Sequence, residues 1–300
     1  MLYMLLKTLK MLPLVIGVLA LLASCNNESD TNTKSVQMAP VHVRINDFDI
    51  SVQSMAPTRT ANPLAEYDKV KAITLAFYDG NTEVYKTTQY RESLGGGETF
   101  GEFDLSLPLG SYTMVALAYG FREGDVLTLT SPTLAAYTGD HNRETFAVTQ
   151  AVNITNTTAV NINATLNRIV AKLDVNSTDG RPAQASSIRV TFSGGSKSFN
   201  PTTGLAVGEA GFSNVVSISA AVGNVTSSGS YVFLATDEQT VDVTIEVLNS
   251  ENTAIFTKQI SDVPLKRNVT TILTGSMYTN NGNASFLINS EWGTQTNINF

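Results

Sequence analysis

The sequence predicts an all-β protein that folds as two β-sandwich domains. Thr, Ser, Asn, Val and Gly are abundant, lysine is scarce, and no sustained helical periodicity follows residue 25. Many short segments alternate apolar and polar residues between regularly spaced turn residues, a pattern typical of β-sandwiches. A chain of 300 residues has room for one large domain or two of ordinary size. We interpret the pattern as two domains that meet near Asn163, at residues 41–163 and 164–300.

The N-terminus has the three parts of a secretory signal. Lys7 and Lys10 precede an apolar run at residues 11–22, and small residues follow it. The run is about a dozen residues long, whereas a bilayer span needs about 20. This difference argues against a permanent transmembrane anchor, so residues 1–24 are predicted to be a cleaved signal peptide.

Cys25 is the only cysteine in the chain, so it cannot form an internal disulfide. A buried thiol and an intermolecular bridge are the ordinary alternatives, but its position between the apolar run and a polar segment argues against both. Together with the preceding Leu-Ala-Ser, it resembles the lipobox of bacterial lipoproteins. That resemblance implies that Cys25 becomes a lipidated N-terminus, anchored by acyl chains such as palmitate. Residues 25–40 are then a flexible tether.

Residues 41–52 are predicted to form the first strand. Its apolar positions are Val41, Val43 and Ile45, followed by Phe48, Ile50 and Val52. The shift from odd to even numbers predicts a β-bulge near Asn46 and Asp47. Residues 53–68 contain two prolines and Arg59, so we expect a loop there.

The middle of the chain contains the most apolar strand. Residues 112–119 are apolar on both faces, which predicts a central strand. Two hairpins are predicted around it, one joining 69–78 to 82–88 and the other joining 99–107 to 111–119. A looser region with Pro132 follows, and strands resume at 144–154 and 158–166.

The second half begins with residues 167–175, which alternate clearly and end at a turn over 179–182. The same alternation predicts further strands at 187–192, 211–220, 231–236, 241–248, 253–260 and 265–277. A turn at 262–264 is expected to separate the last two.

Residues 284–300 have one apolar face and one polar face. The apolar face carries Phe286, Ile288, Trp292, Ile298 and Phe300. The pattern fits two alternatives equally well: an edge strand that closes the second domain, and a strand that is donated to another molecule. Periodicity alone does not say whose sheet such a strand joins.

The charge and the scarce histidines exclude several classes of function. The net charge is −7, and loss of residues 1–24 with their two lysines leaves 17 basic against 26 acidic residues, or −9. A nucleic-acid partner would call for a basic stripe. His42 and His141 lack a nucleophile and an orienting acid in their sequence context, so we predict no catalytic site. Asp47 and Asp49 share a strand face without an aromatic cleft, and no metal-binding cluster or cofactor motif is found.

Four features in order resemble the Bacteroidetes-type (type V) fimbrial subunits, meaning fimbrillins and their anchor or accessory relatives. They are the lipobox at Cys25, the strand at 41–52 followed by Pro-Thr-Arg-Thr-Ala, the turn sequence at 107–112, and the alternating opener at 166–173. The resemblance spans nearly the whole chain. It implies two tandem transthyretin-like β-sandwiches, no enzymatic activity, export as an outer-membrane lipoprotein, and assembly with other fimbrial subunits at the cell surface.

The resemblance also implies how assembly would occur. A trypsin-like protease would cut after Arg59, and loss of the strand at 41–52 would open a groove that another subunit's C-terminal strand fills. The alternative for Arg59 is an ordinary solvated loop arginine. A stalk, an accessory and an anchor position all stay open. A second function, a surface lipoprotein that binds a carbohydrate or host ligand, also stays open.

Overall fold

The computed structural model describes residues 36–49, 61–64, 67–121, 126–139, 141–208, 211–279 and 287–290. Within these residues the chain forms strands and turns, with one short 3-10 turn at Arg91–Ser93. The predicted all-β class is confirmed. The strands of the first half are β1 (Met38–Asp49), β2 (Ala61–Pro63), β3 (Ala72–Asp79), β4 (Thr82–Tyr90), β5 (Glu102–Pro108), β6 (Gly110–Tyr119), β7 (Val126–Ser131), β8 (Leu134–Thr138), β9 (Thr145–Ile154) and β10 (Val160–Arg168).

The first half folds as a sandwich of two layers. In one layer β1 lies between β5, which is antiparallel to it, and β10, which is parallel. The other layer has the order β9-β6-β3-β4. The layers meet at a corner, because β9 and β10 pair only at Ala147 with Asn167 and at Phe146 with Arg168.

The core of this sandwich forms where alternating residues of both layers face each other. Aromatic and branched side chains from β1, β3, β5, β6, β9 and β10 make one buried apolar cluster. Burial of each large side chain of this kind contributes about 1.5–3 kcal/mol. The alternation that predicted the strands therefore also determines which side chains build the core.

The central position predicted for residues 112–119 is confirmed, because β6 pairs with β3 on one edge and with β9 on the other. The predicted hairpin of 99–107 with 111–119 is wrong. Both edges of β6 are occupied, so β5 pairs with β1 instead, and residues 108–110 carry the chain from one layer to the other. The looser region around Pro132 is also ordered, as the hairpin β7–β8.

The second half has the strands β11 (Ala171–Ser177), β12 (Ser187–Phe192), β13 (Ser198–Asn200), β14 (Leu205–Ala206), β15 (Phe212–Ser217), β16 (Ser227–Val232), β17 (Glu238–Leu248), β18 (Ala254–Lys266), β19 (Thr270–Gly275) and β20 (Leu287–Ser290). Two layers, β16-β11-β19-β20 and β15-β12-β17-β18, enclose a second apolar cluster. The order of pairing repeats that of the first half. Strand β11 lies between antiparallel β16 and parallel β19, as β1 lies between β5 and β10.

A further, separate sheet of four strands joins the two halves. Its order is β14-β13-β8-β7, so each half contributes one hairpin. It covers the outer face of β3 and β6 in a third apolar cluster, where the rings of Phe199 and Phe233 stack with centroids 4.2 Å apart. This contact explains why β6 is apolar on both faces. The described residues from 36 onward cluster as one compact unit, and the division into two domains stays a prediction.

Two strand boundaries in the second half differ from the sequence prediction. The position 163/164 lies within β10, which pairs with β1 as far as Asn167 and with β9 as far as Arg168, while the division into domains stays a prediction. The segment 167–175 is therefore two strands, with a break before Ala171. Asp262 is a bulge within β18 rather than a turn, and the real turn is at residues 267–268, where Asn268 has a φ of +59°.

Candidate functional site

Strand β1 is paired along both edges and buried on one face. Its inward side chains are at most 3% exposed: Ala39, Val41, Val43, Ile45 and Phe48. The predicted bulge is confirmed, because the register with β10 shifts between Ile45 and Asp47 and lets Phe48 face the core again. The described part of the predicted first strand is thus an inner strand of its sheet. Ile50 and Val52 lie outside the described residues.

The outer face of β1 carries two polar side-chain pairs to β5, one of which, Arg44 with Glu102, is an ion pair. His42 Nδ1 lies 2.5 Å from Asp104 Oδ1, and Arg44 Nε lies 2.9 Å from Glu102 Oε1. All four side chains are at least 43% exposed, so each pair contributes about 0–1 kcal/mol. His42, which had no partner in the sequence analysis, therefore has a structural role. The strand is retained mainly by its buried face and its main-chain pairing.

The chain returns to the end of β1 at residues 61–64, after the segment 50–60 that contains Arg59 and lies outside the described residues. Strand β2 pairs with residues 47–49 of β1, and the Leu64 amide donates a hydrogen bond to the Asn46 carbonyl oxygen at 3.1 Å. Arg59 itself lies outside the described residues, two positions before β2. The proposed cleavage position therefore belongs to the connection between β1 and the first residues that pair with it.

A buried ionic group lies beneath the end of β1. The Nη2 atom of Arg168 is 2.8 Å from Glu144 Oε1, and their side chains are only 2% and 6% exposed. The Tyr67 hydroxyl donates to the same carboxylate at 2.6 Å. Burial, and then the charge of Glu144, raise the pKa of Tyr67 well above its usual range. The phenol therefore stays protonated and remains a donor to Glu144.

Phe48 connects β1 to this group. Its ring centroid lies 4.5 Å from that of Phe146 and 5.5 Å from that of Tyr67. Arg168 lies over the Phe146 ring at 5.0 Å and donates to Asn268 Oδ1 at 2.8 Å. The end of β1 thus covers a charged network that reaches the turn between β18 and β19. Sequence reasoning missed this group, since its members are far apart in the chain.

The described part of the predicted donor strand lies against its own sandwich. Strand β20 pairs antiparallel with β19, with Ile288 opposite Leu273. The other proposed donor residues, Phe286, Trp292, Ile298 and Phe300, lie outside the described residues. Residues 287–290 therefore lie at the edge of their own sheet, and donation of the segment 284–300 to another molecule stays a prediction.

The segment before β20 is held firmly where it leaves β19. The carboxylate of Asp179 accepts hydrogen bonds from the Met277 and Tyr278 amides, each at 2.7 Å, and from Ser276 Oγ at 2.8 Å. Partial burial acts to raise the pKa of Asp179, but these hydrogen bonds outweigh it and lower the pKa below its usual value. The Tyr278 hydroxyl also pairs with Thr226 Oγ1 at 2.6 Å. The C-terminal segment thus starts from a fixed point.

The remaining sequence candidates do not converge on a reactive centre in the described residues. His141 contacts the carbonyl oxygen of Val215. No group of three or more His, Cys, Asp or Glu residues is placed to hold a metal in the part described. That part also contains no helix long and apolar enough to cross a membrane. Cys25 lies outside it.

Solved structures share this fold. An adhesin candidate from Bacteroides ovatus aligns with a TM-score of 0.50 at 10% identity, over 83% of this chain and 96% of that one. The fimbrial anchor protein Mfa2 from Porphyromonas gingivalis aligns with a TM-score of 0.46 at 13% identity, over 84% and 95% of the two chains. Among curated proteins, none matches this sequence. The first of these alignments supports the β-sandwich fold class of this chain.

The sequence match identifies the family. Residues 35–299 match the family of unknown function DUF6562, and the match covers nearly all of the chain. The protein belongs to that family.

Proposed function

We propose that this protein is a structural subunit of a cell-surface fimbria, exported as a lipoprotein and assembled by exchange of β-strands. One observation carries the proposal: β1 is an inner strand at the start of the described chain, and Arg59 lies in the sequence between β1 and β2, which pairs with it. A strand in this position can be exchanged for another without breaking the rest of the fold, because every other strand of the layer follows it in sequence.

The groove left by β1 would have the chemistry that strand addition requires. Withdrawal of β1 would expose the apolar residues of the facing layer and the main-chain groups of both β5 and β10. Unpaired edges of this kind bind an extended segment through main-chain hydrogen bonds, and alternate side chains fill the pockets. The alternating apolar residues of 284–300 suit that role.

Strand β1 would not leave its place spontaneously. Its five buried side chains contribute on the order of 10 kcal/mol by area bookkeeping, which is an upper value. The two exposed side-chain pairs with β5 add little. A cut after Arg59 would therefore leave β1 bound until a competing strand replaces it, so that cleavage permits exchange and the incoming subunit completes it.

The state of Arg59 would also determine the position of the subunit in the filament. Lipidated Cys25 and β1 both lie on the N-terminal side of Arg59. A single cut followed by exchange would thus remove the membrane anchor and open the groove together, which suits a stalk or accessory subunit. An uncut chain would keep its lipid and its first strand, which suits an anchor at the membrane.

Limited trypsin treatment of the folded chain tests the proposal. We expect one early cut after Arg59, retention of the N-terminal fragment by the cut protein, and formation of chains of subunits when the cut protein is concentrated. An Arg59→Ala variant should resist the early cut and stay monomeric. A protein that is not cut at Arg59, and that never associates with like subunits from the cell surface, would contradict the proposal.

A surface lipoprotein that binds a carbohydrate is the second candidate. Tyr90 and Phe121 are 40% and 41% exposed, and their ring centroids lie 5.0 Å apart. Exposed aromatic faces can stack on apolar patches of a ligand. A glycan-array signal that Tyr90→Ala abolishes, while Val84→Ala on the same strand retains it, would favour this candidate. If no glycan gives a signal, the role of fimbrial subunit is the better explanation.

A further inference from the structure

The two sandwiches repeat one topology over seven strands each, and they differ at the edge that follows β10 in the first and β19 in the second. Strands β1, β3, β4, β5, β6, β9 and β10 correspond in order and pairing to β11, β12, β15, β16, β17, β18 and β19. In the second sandwich the outer edge of β19 carries β20. The corresponding edge of β10 has no partner strand over residues 160–166 among the residues that the structure describes.

Among the described strands, β9 does not cover this edge of β10 because the two strands diverge. They pair only at the corner, at residues 146–147 and 167–168, and then continue into opposite layers. The edge alternates as an acceptor strand should. Ile162, Ala164 and Leu166 are buried, whereas Asn161, Asn163 and Thr165 are exposed. An added strand would therefore meet a polar outer face and an apolar inner one.

The β10 edge also lacks the features that block unwanted pairing. Natural sheets protect their edges with charged side chains, prolines and bulges. The edge strand β18 has all three, in Lys258, the bulge at Asp262, and Pro264. Residues 160–167 contain no charge and no proline, and their register with β1 shifts only at the β1 bulge. These residues therefore carry no charge, proline or bulge of their own that would oppose an added strand.

We propose that the β10 edge binds the C-terminal segment, residues 284–300, of a second copy of this chain, in the antiparallel sense in which β20 pairs with β19. The inference depends on the proposed function. Binding at the β10 edge differs from strand exchange, because it does not require the loss of β1. Such a contact would join uncut subunits before any exchange of β1.

The segment itself favours this occupant. It already forms an edge strand on a corresponding position, through the four residues of β20. It contains a single charged residue, Glu291, and its alternation matches that of β10. The chain after the fixed point at Tyr278–Thr279 has 21 residues, which span up to about 70 Å when extended. That length is sufficient to reach a neighbouring molecule.

Intermolecular crosslinking tests the proposal on the full chain, with Cys25→Ser so that only introduced thiols react. One preparation carries Thr165→Cys on β10, the other carries Asn289→Cys on β20, and the mixture receives a short bis-maleimide. We expect a crosslinked dimer whose two chains are shown by mass spectrometry to be intact at Arg59. Replacing Thr165→Cys by Glu83→Cys, on the edge strand β4, should give no dimer above background. Adding Asn163→Lys beside Thr165→Cys should abolish the dimer without changing the melting temperature.

The outcomes separate this inference from the proposed function. A dimer that forms equally with Glu83→Cys, or not at all, overturns the β10 site. A crosslink that forms only after cleavage at Arg59 supports exchange at the β1 groove and also overturns it. Failure to crosslink, together with failure to assemble after cleavage, contradicts both proposals.

Discussion

The guanidinium of Arg168 lies 2.8 Å from the carboxylate of Glu144, with both side chains almost fully buried. Arg168 ends the last strand of the first sandwich and also donates to Asn268 in the second. This pair therefore links the corner of one sandwich to a turn of the other. The pair lies beneath Phe48 of β1. The strand that we propose is exchanged therefore also covers the contact between the two sandwiches.

Breaking this pair is expected to destabilise the protein strongly. Glu144→Gln keeps the shape but leaves the buried charge of Arg168 without its negative partner, which costs about 3–5 kcal/mol in free energy of unfolding. Urea denaturation measures the change. The matched control is Glu102→Gln, which breaks the exposed pair with Arg44 and should cost about 1 kcal/mol or less. Equal effects of the two substitutions would contradict the role assigned to the buried pair.

Truncation of the β1 anchor should weaken the fold and speed loss of the strand. Phe48→Ala removes a fully buried ring and is expected to cost about 3–5 kcal/mol. After cleavage at Arg59, the fragment that contains β1 should dissociate faster from this variant, as followed by size-exclusion chromatography. Pro40→Ala, at an exposed position of the same strand, should behave like the unchanged protein. A Phe48→Ala fragment that dissociates no faster would show that β1 is held elsewhere.

The approach of residues 101–102 to β1 depends on glycine at position 101. Gly101 has a φ of +91°, and an added Cβ would lie 2.2 Å from the Leu64 side chain. Its carbonyl oxygen accepts a hydrogen bond from the Ile45 amide at 2.9 Å. Gly101→Ala should therefore destabilise the protein by about 1–3 kcal/mol, measured by thermal denaturation.

Gly96→Ala is the control for this substitution. Gly96 lies in the same loop, and an added Cβ there would meet open space. We expect its melting temperature to stay within error of the unchanged protein. Two equally destabilised variants would mean that the whole loop, rather than the contact with β1, is sensitive.

Asp179 should make the free energy of unfolding fall at acidic pH. Its pKa is lowered in the folded state, so its contribution is fully present above the unfolded value of about 3.9 and is lost as pH falls through the folded value. Asp179→Asn should therefore lose less stability than the unchanged protein between about pH 5 and about pH 2. Urea unfolding at a series of pH values measures this difference. Parallel curves for the two proteins would show that Asp179 contributes nothing to acid sensitivity.

The individual strands could be recognised from the order of residues alone. The odd-to-even shift between Ile45 and Phe48 predicted both β1 and its bulge, because side chains on a strand alternate between the two faces. The apolar faces of residues 112–119 likewise predicted a central strand. These properties are local, because the alternation of a strand depends only on the order of neighbouring residues.

The partners of the strands became known only from the folded chain. The hairpin proposed for β5 and β6 failed because both edges of β6 are taken by distant strands, and no local signal records that. Arg168 and Glu144 are 24 positions apart, and β10 has no described partner strand on its β9 side over residues 160–166 because β9 turns into the opposite layer. Alternation shows which face of a strand is apolar. Which strands pair depends on the whole fold, because each strand has only two edges and distant strands compete for them.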